Sequence, residues 1–379
     1  MRARKASKRK PVPGALWLHP KLQPLPFGPH GPLVRLLKPG AKPDPVWAPF
    51  DLPGPLVRLP GGTLMTVGRT GVMTSRDRGR KWTEHPLFTY GPNDKEYKIS
   101  NERVLFRTAK GTLILSFLNL NERVWLWRNE LKDALPGTRC PNYITRSTDN
   151  GRTWQTPVML HEDWTGELRN IIQTRSGRIV LSSMKFLHNP GRHSVLTYSS
   201  GDDGQTWTPS HLIDLGGCGH HGGVTEATIE ELTDGRLLML LRTNWGRFWQ
   251  AFSEDEGQSW RDIGPTAIDA SSAPGLLKRL ASGRLLLIWN RQYPEGKPSF
   301  PRSGGDGIWS EVPVSNHREE LSIAFSEDDG ATFSDPVVIA RRKNAWLSYP
   351  RVLEYSRGLL WLTTMQGPVR AAFRESDFA

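Results

Sequence analysis

Cysteine is nearly absent from this chain. Cys140 and Cys218 are the only two among 379 residues, which excludes a disulfide framework and a cysteine metal site with ligand spacing. Long apolar runs are missing too. The basic start gives way to Pro11, Pro13 and Gly14, so no signal peptide or membrane span follows it. The expectation is a cytoplasmic protein, or a secreted or periplasmic one whose leader has been removed. Sustained helical periodicity is also lacking, and with it the usual frame for a nucleotide-binding α/β domain.

What the chain has instead is turn-forming and aromatic residues: 37 glycines, 30 prolines and 15 tryptophans. With 37% hydrophobic residues there is ample material for a core, and the composition points to an all-β protein rich in turns. The formal charge is +12, half of it supplied by Arg2, Arg4, Lys5, Lys8, Arg9 and Lys10. No aromatic residue interleaves with that cluster before Trp17, so it reads as a solvated tail and not as a nucleic-acid arm. The remaining basic excess favours an anionic substrate.

One pattern recurs along the chain: Ser-x-Asp-x-Gly-x-x-Trp/Phe, at 75–82, 147–154, 200–207, 253–260 and 326–333. Ser and Asp side chains bond nearby backbone groups, Gly takes a positive φ and the aromatic ring packs beneath, so these are turn builders. A single active site has no use for five equivalent carboxylates. Before each box comes an apolar strand, a Gly turn and a second apolar strand, at 56–65, 105–114, 171–180, 229–239 and 276–287; a sixth such unit, 352–362, has no box after it. Each unit reads as one four-stranded blade, the last being a closing blade. Residues 1–45 are a basic, Pro-rich, partly irregular segment, and 46–379 a single propeller. The insertion at 119–140, carrying Trp125 and Trp127, is expected over the rim of the central depression.

Five boxes in a six-unit array resemble the sialidase (neuraminidase) superfamily, in particular its BNR-repeat, sialidase-like branch. The resemblance implies a six-bladed β-propeller of the sialidase type and an exo-acting glycoside hydrolase for a sialic acid or related acidic sugar, with no cofactor or metal. In that family a Glu opens the blade whose second strand ends in an Arg, and Thr225-Glu226 with Leu241-Arg242 is similar. A second carboxylate-binding Arg precedes a later box, as Arg318 does, and a nucleophilic Tyr opens the final blade, as Tyr349 does. The chemistry is coherent. A carboxylate on the anomeric carbon would repel an Asp or Glu nucleophile, whereas a Tyr hydroxyl deprotonated by Glu226 avoids the clash, and Arg242 and Arg318 would hold the carboxylate. Each residue also has an ordinary role open to it, as a strand aromatic or a rim charge.

Two family positions are not matched. Where the family's first blade opens with Phe-Arg-Ile-Pro, this chain has Phe50-Asp51-Leu52-Pro53, and the loop Val67-Gly-Arg69-Thr-Gly71 is too short to carry the family's acid/base Asp. Arg58, Arg69 or Arg351 are the candidates to replace the Arg. Asp51, His220, His221 or an acid of the 119–140 insertion are the candidates to replace the acid. The segment Gly216-Gly-Cys-Gly-His220-His221-Gly-Gly223 has no helix after it, so it is no dinucleotide loop, and two adjacent His make no metal site; it can present His221 to the centre. A polysaccharide lyase acting on uronic acids, which needs no hydrolytic acid, and a non-catalytic glycan-binding propeller remain as alternatives.

Overall fold

The structure, a computed structural model, describes residues 14–27, 52, 54–69 and 71–378, together with the backbone of strands Leu33–Arg35 and Asp44–Val46. It is an all-β, six-bladed propeller. The innermost strands, from blade one to blade six, are Val57–Arg58, Ile99–Arg107, Ile171–Gln173, Thr225–Glu231, Leu276–Arg279 and Ser348–Ser356. Each pairs antiparallel with the second strand of its unit, as in Leu277↔Leu287 and Val352↔Leu362. The Gly turn between them is the short loop that the sequence places there.

Strands buried on both faces explain the near-continuous apolar runs, because in a propeller each sheet is packed between two neighbours. The core is accordingly split into layers between successive blades. Met65, Leu113 and Phe117 meet between blades one and two; Ile114, Leu181 and Tyr198 between two and three; Val180, Ile229 and Met239 between three and four. Strand Leu113–Asn119 shows the alternation directly: Leu113 and Leu115 face one neighbour and Ile114 the other.

The five box turns share one geometry. In each, the Ser hydroxyl donates to the Asp and accepts from the Gly amide, all at 2.8–2.9 Å. The residue before the Gly also lies in the left-handed region, with φ of 57–63°. That residue ties blades together. Asp203 accepts from Thr112 at 2.5 Å, Glu256 from Thr174 at 2.7 Å and Asp329 from the Thr233 amide at 2.9 Å, each bond joining a box to the Gly turn of the preceding blade.

Closure uses the N-terminal segment. Gln23–Pro24 pairs with Arg370–Arg374 as the fourth strand of the boxless sixth blade, and Trp17–Leu18 adds a strand to the outer edge of blade five. Phe27 then packs between Trp82 of blade one and Trp361 of blade six. Because Gln23–Pro24 and Arg370–Arg374 share one sheet, that blade cannot open without breaking strand pairing.

Candidate functional site

Inner strands start on the face opposite the boxes, and two of the sequence candidates stand at such starts. Glu226 is the second residue of Thr225–Glu231 and Tyr349 the second of Ser348–Ser356. Both take positive φ, 45° and 60°, an uncommon conformation for large residues that is found where a site is held against local preference. At Glu226 the cause is visible: the register shifts by one residue between Thr225 and Thr228, a bulge that re-aims the side chain.

These residues meet. The Tyr349 hydroxyl donates to Glu226 Oε1 at 2.9 Å, and Arg242 Nη1 pairs with Glu226 Oε2. Arg242 Nη2 donates to Ser272 Oγ at 2.9 Å, while Arg318 donates to the Ser272 carbonyl at 2.7 Å, to Gln366 at 2.8 Å and to Asn316 at 2.8 Å. Ser272 thereby sets the two guanidiniums side by side. The Arg318 guanidinium also lies 5.5 Å from the Tyr349 ring centre.

The electrostatics assign proton positions. Burial works to raise the Glu226 carboxyl, but Arg242 beside it, with Arg318 and Arg169 behind, outweighs that and holds it below the ordinary range. Burial and the Glu226 carboxylate push the Tyr349 hydroxyl up. At rest the site holds a neutral phenol hydrogen-bonded to a carboxylate, the arrangement of a nucleophile with its base.

Two residues not singled out in the sequence complete the cluster. Arg169 places its guanidinium 4.9 Å from the Tyr349 ring centre and donates to the Pro350 carbonyl at 3.1 Å, and Glu167 lies 3.7 Å from Arg169 Nη1. Burial first, then the Glu102 carboxylate, push the Glu167 carboxyl well above its ordinary value, within electrostatic reach of Tyr349 and Glu226. A signal existed. Glu102, Glu226 and Tyr349 each stand three residues before a repeat unit, and Arg103 and Arg169 each stand two before one, so comparing the heads of all units exposes the ring.

The other candidates are distributed differently. Arg351 is buried, but its donors go to the carbonyls of Gly54, Asn101 and Arg103. Arg69 is exposed, with its carbonyl accepting from Ile99, and Arg58 lies away from the site against Tyr355. His221 is exposed, stacks on Trp309 with ring centres 4.8 Å apart and shares a 2.6 Å contact with His220; desolvation of its ring and then Arg242 lower its pKa. Within the 119–140 insertion Glu122 is paired with Lys95 and Arg139, and Asp133 with His188 and the Asn189 amide. Glu130, the third acid of the insertion, is exposed. Asp51 lies outside the described residues.

The rim is aromatic on one side and polar on the other. Trp127 of the insertion stands 5.5 Å from His220, and the 216–223 loop is bonded to the blade-five loop through His220 N to Ile308 O and His221 N to Trp309 O, both 2.8 Å. A cavity of about 330 Å³ lined by Asn244, Trp245, Gln292, Arg302 and Ser315 opens beside Ser272. Among the described residues no His, Cys, Asp and Glu group could hold a metal ion.

A six-bladed propeller carrying a Tyr–Glu pair and adjacent arginines belongs to the sialidase-like class. Residues 63–362 match the BNR repeat-like domain, and the chain belongs to that family. It is 23% identical over 308 residues to a sialidase of Micromonospora viridifaciens; the match covers 76% of this chain and 44% of that protein, so this chain spans under half its relative's length. Among solved structures it superposes on the Hadza microbial sialidase Hz136 with a TM-score of 0.58 at 16% identity, covering 86% of this chain and 65% of that one. A Trypanosoma rangeli sialidase in complex with 2,3-difluorosialic acid, a covalent intermediate, gives 0.59 at 14% identity over 95% and 60%. A Dyadobacter fermentans protein of unknown function gives 0.57 at 16% identity over 95% and 98%. These likenesses show the fold.

Proposed function

We propose that this protein is an exo-acting hydrolase of glycosides whose sugar carries a carboxylate on the anomeric carbon, a sialic acid or a close relative. The observation that carries the reading is the 2.9 Å hydrogen bond from a buried Tyr349 to an ionised Glu226, with Arg242 and Arg318 alongside. The arginines hold the substrate carboxylate with charge-assisted bonds. Glu226 takes the phenol proton as Tyr349 oxygen bonds to the anomeric carbon, and Glu167 gives its proton to the departing glycosidic oxygen. Water then enters, Glu167 takes its proton, and the Tyr349–carbon bond breaks with the proton returned from Glu226. A neutral nucleophile approaching an anionic centre avoids the repulsion that a carboxylate would meet.

The test is release of sugar from a panel of aryl glycosides of sialic acids, with 2,3-difluorosialic acid as trap. The expected results are turnover, a sugar adduct located on the Tyr349 peptide by mass spectrometry, and a fall in kcat of about 10³-fold or more in Tyr349→Phe. No release from any acidic glycoside, or an unaltered Tyr349→Phe, would reject the reading. The pH profile of kcat/KM should have its acid limb below the ordinary carboxyl range, from Glu226, and an alkaline limb that Glu167→Gln abolishes.

A further inference from the structure

The propeller axis holds a cavity of about 510 Å³ walled by the inner strands of all six blades. Its cations are Arg58, Arg103, Arg107, Arg169, Lys278 and Arg351, against two acids, Glu230 and Glu354. Both carboxylates are already occupied by backbone amides, Glu230 by Arg279 at 2.8 Å and Glu354 by Ala281 and Gly358 at 2.9 Å. The channel reaches the exposed Arg58 on the box side and ends at Arg103, Arg169 and Arg351, which are 3%, 7% and 8% exposed.

At that inner end several guanidinium N–H groups lack acceptors. Arg103 Nε and Arg169 Nε and Nη1 are buried without a hydrogen bond. Glu167 stands 3.7 Å from Arg169 Nη1, and burial first, then Glu102, raises its carboxyl pKa and so weakens that pairing. Arg103 stays cationic at neutral pH even though burial draws it down to about 10. Buried unpaired charges cost several kcal/mol each, a cost that proteins normally remove by pairing them.

We propose that the inner end of this channel binds a small inorganic oxyanion, phosphate or sulfate, on Arg103 and Arg169, entering from the box face. Guanidinium forks match the oxygens of such an ion, and N–H groups that now lack acceptors would gain them. The ion enters on the side away from Tyr349, which separates it from the acidic group of a glycan arriving at Arg242 and Arg318. Because Arg169 also covers the Tyr349 ring, occupancy braces the site from beneath.

Binding is read without any activity, so its failure leaves the hydrolase reading untouched. Titrating phosphate or sulfate at fixed ionic strength, with gluconate as the bulky replacement anion, should raise Tm saturably by roughly 5 °C. Arg103→Met should abolish the saturable rise and Arg318→Met should keep it. If Arg103→Met does not fold, Arg103→Lys should weaken the response at least tenfold, and selenate diffused into crystals of the unaltered protein should give an anomalous peak between Arg103 and Arg169. A response that never saturates, one that is equal in the Arg103 variants, one that is lost in Arg318→Met, or an empty channel in the selenate experiment would overturn the proposal.

Discussion

The two faces of this propeller use charged residues in opposite ways. On the box face the carboxylates are repeated, mostly accessible and satisfied many times over; Asp202 alone accepts from the Ser200 and Thr206 hydroxyls and from the Gln205 and Thr206 amides. On the other face the charges occur once each, are buried, and leave donors unmet, such as Arg242 Nε and Arg169 Nε. Satisfied polar groups rigidify and unsatisfied ones await a partner. The repeats therefore carry stability, and the strand starts between them carry the proposed chemistry.

The largest effect expected from breaking this division is at the buried pair. Arg242→Met removes the ion-pair partner of the buried Glu226 carboxylate, which should cost about 3–5 kcal/mol in urea unfolding along with the proposed turnover. Adding Glu226→Gln should recover most of the stability and none of the turnover. A double variant no more stable than the single one would show that the pair is not coupled as described.

Next comes a box glycine. Gly257 has φ of +84°, and a Cβ there would stand 2.6 Å from the fully buried Val180 Cγ1 of the preceding blade. Gly257→Ala should destabilise by about 2–4 kcal/mol through backbone strain and overpacking, with turnover per folded molecule unchanged. A loss of turnover at full stability would mean that the faces are not separable.

The smallest effect is a pH dependence. Slight burial raises the carboxyls of Asp149 and Asp202, but the hydroxyl and amide donors around them prevail and hold both at about 2, from an ordinary 3.8. Since the folded-state value is depressed, the stabilisation is present above about pH 4 and lost as pH falls through 2. The Tm difference between the unaltered protein and Asp202→Asn should therefore shrink steadily between pH 4 and 2. A difference that stays constant would place the Asp202 contribution in shape and not in charge.

The box repeats made the propeller legible because turn chemistry is local: Ser200, Asp202 and Gly204 meet within four residues wherever the chain goes. Glu226, Arg242, Arg318 and Tyr349 were legible as candidates through their spacing from those boxes, and closure of the ring brings them together. Glu167, Arg169 and Arg103 carried only a faint mark, their place at the head of a unit, and the strand Gln23–Pro24 carried none, since a two-residue strand exists only by its partner.

From sequence alone came the blades, their number and the turns, all set by patterns that repeat from unit to unit. Tertiary structure alone decided which arginine stands over Tyr349, which carboxyl is pushed up and which down, and which guanidinium donors on the axis lack acceptors. Arg169 and Pro350 are 181 positions apart in the chain, and only a closed ring of blades sets them at bonding distance. Charge state and pairing depend on those distances and on burial, which no local pattern records.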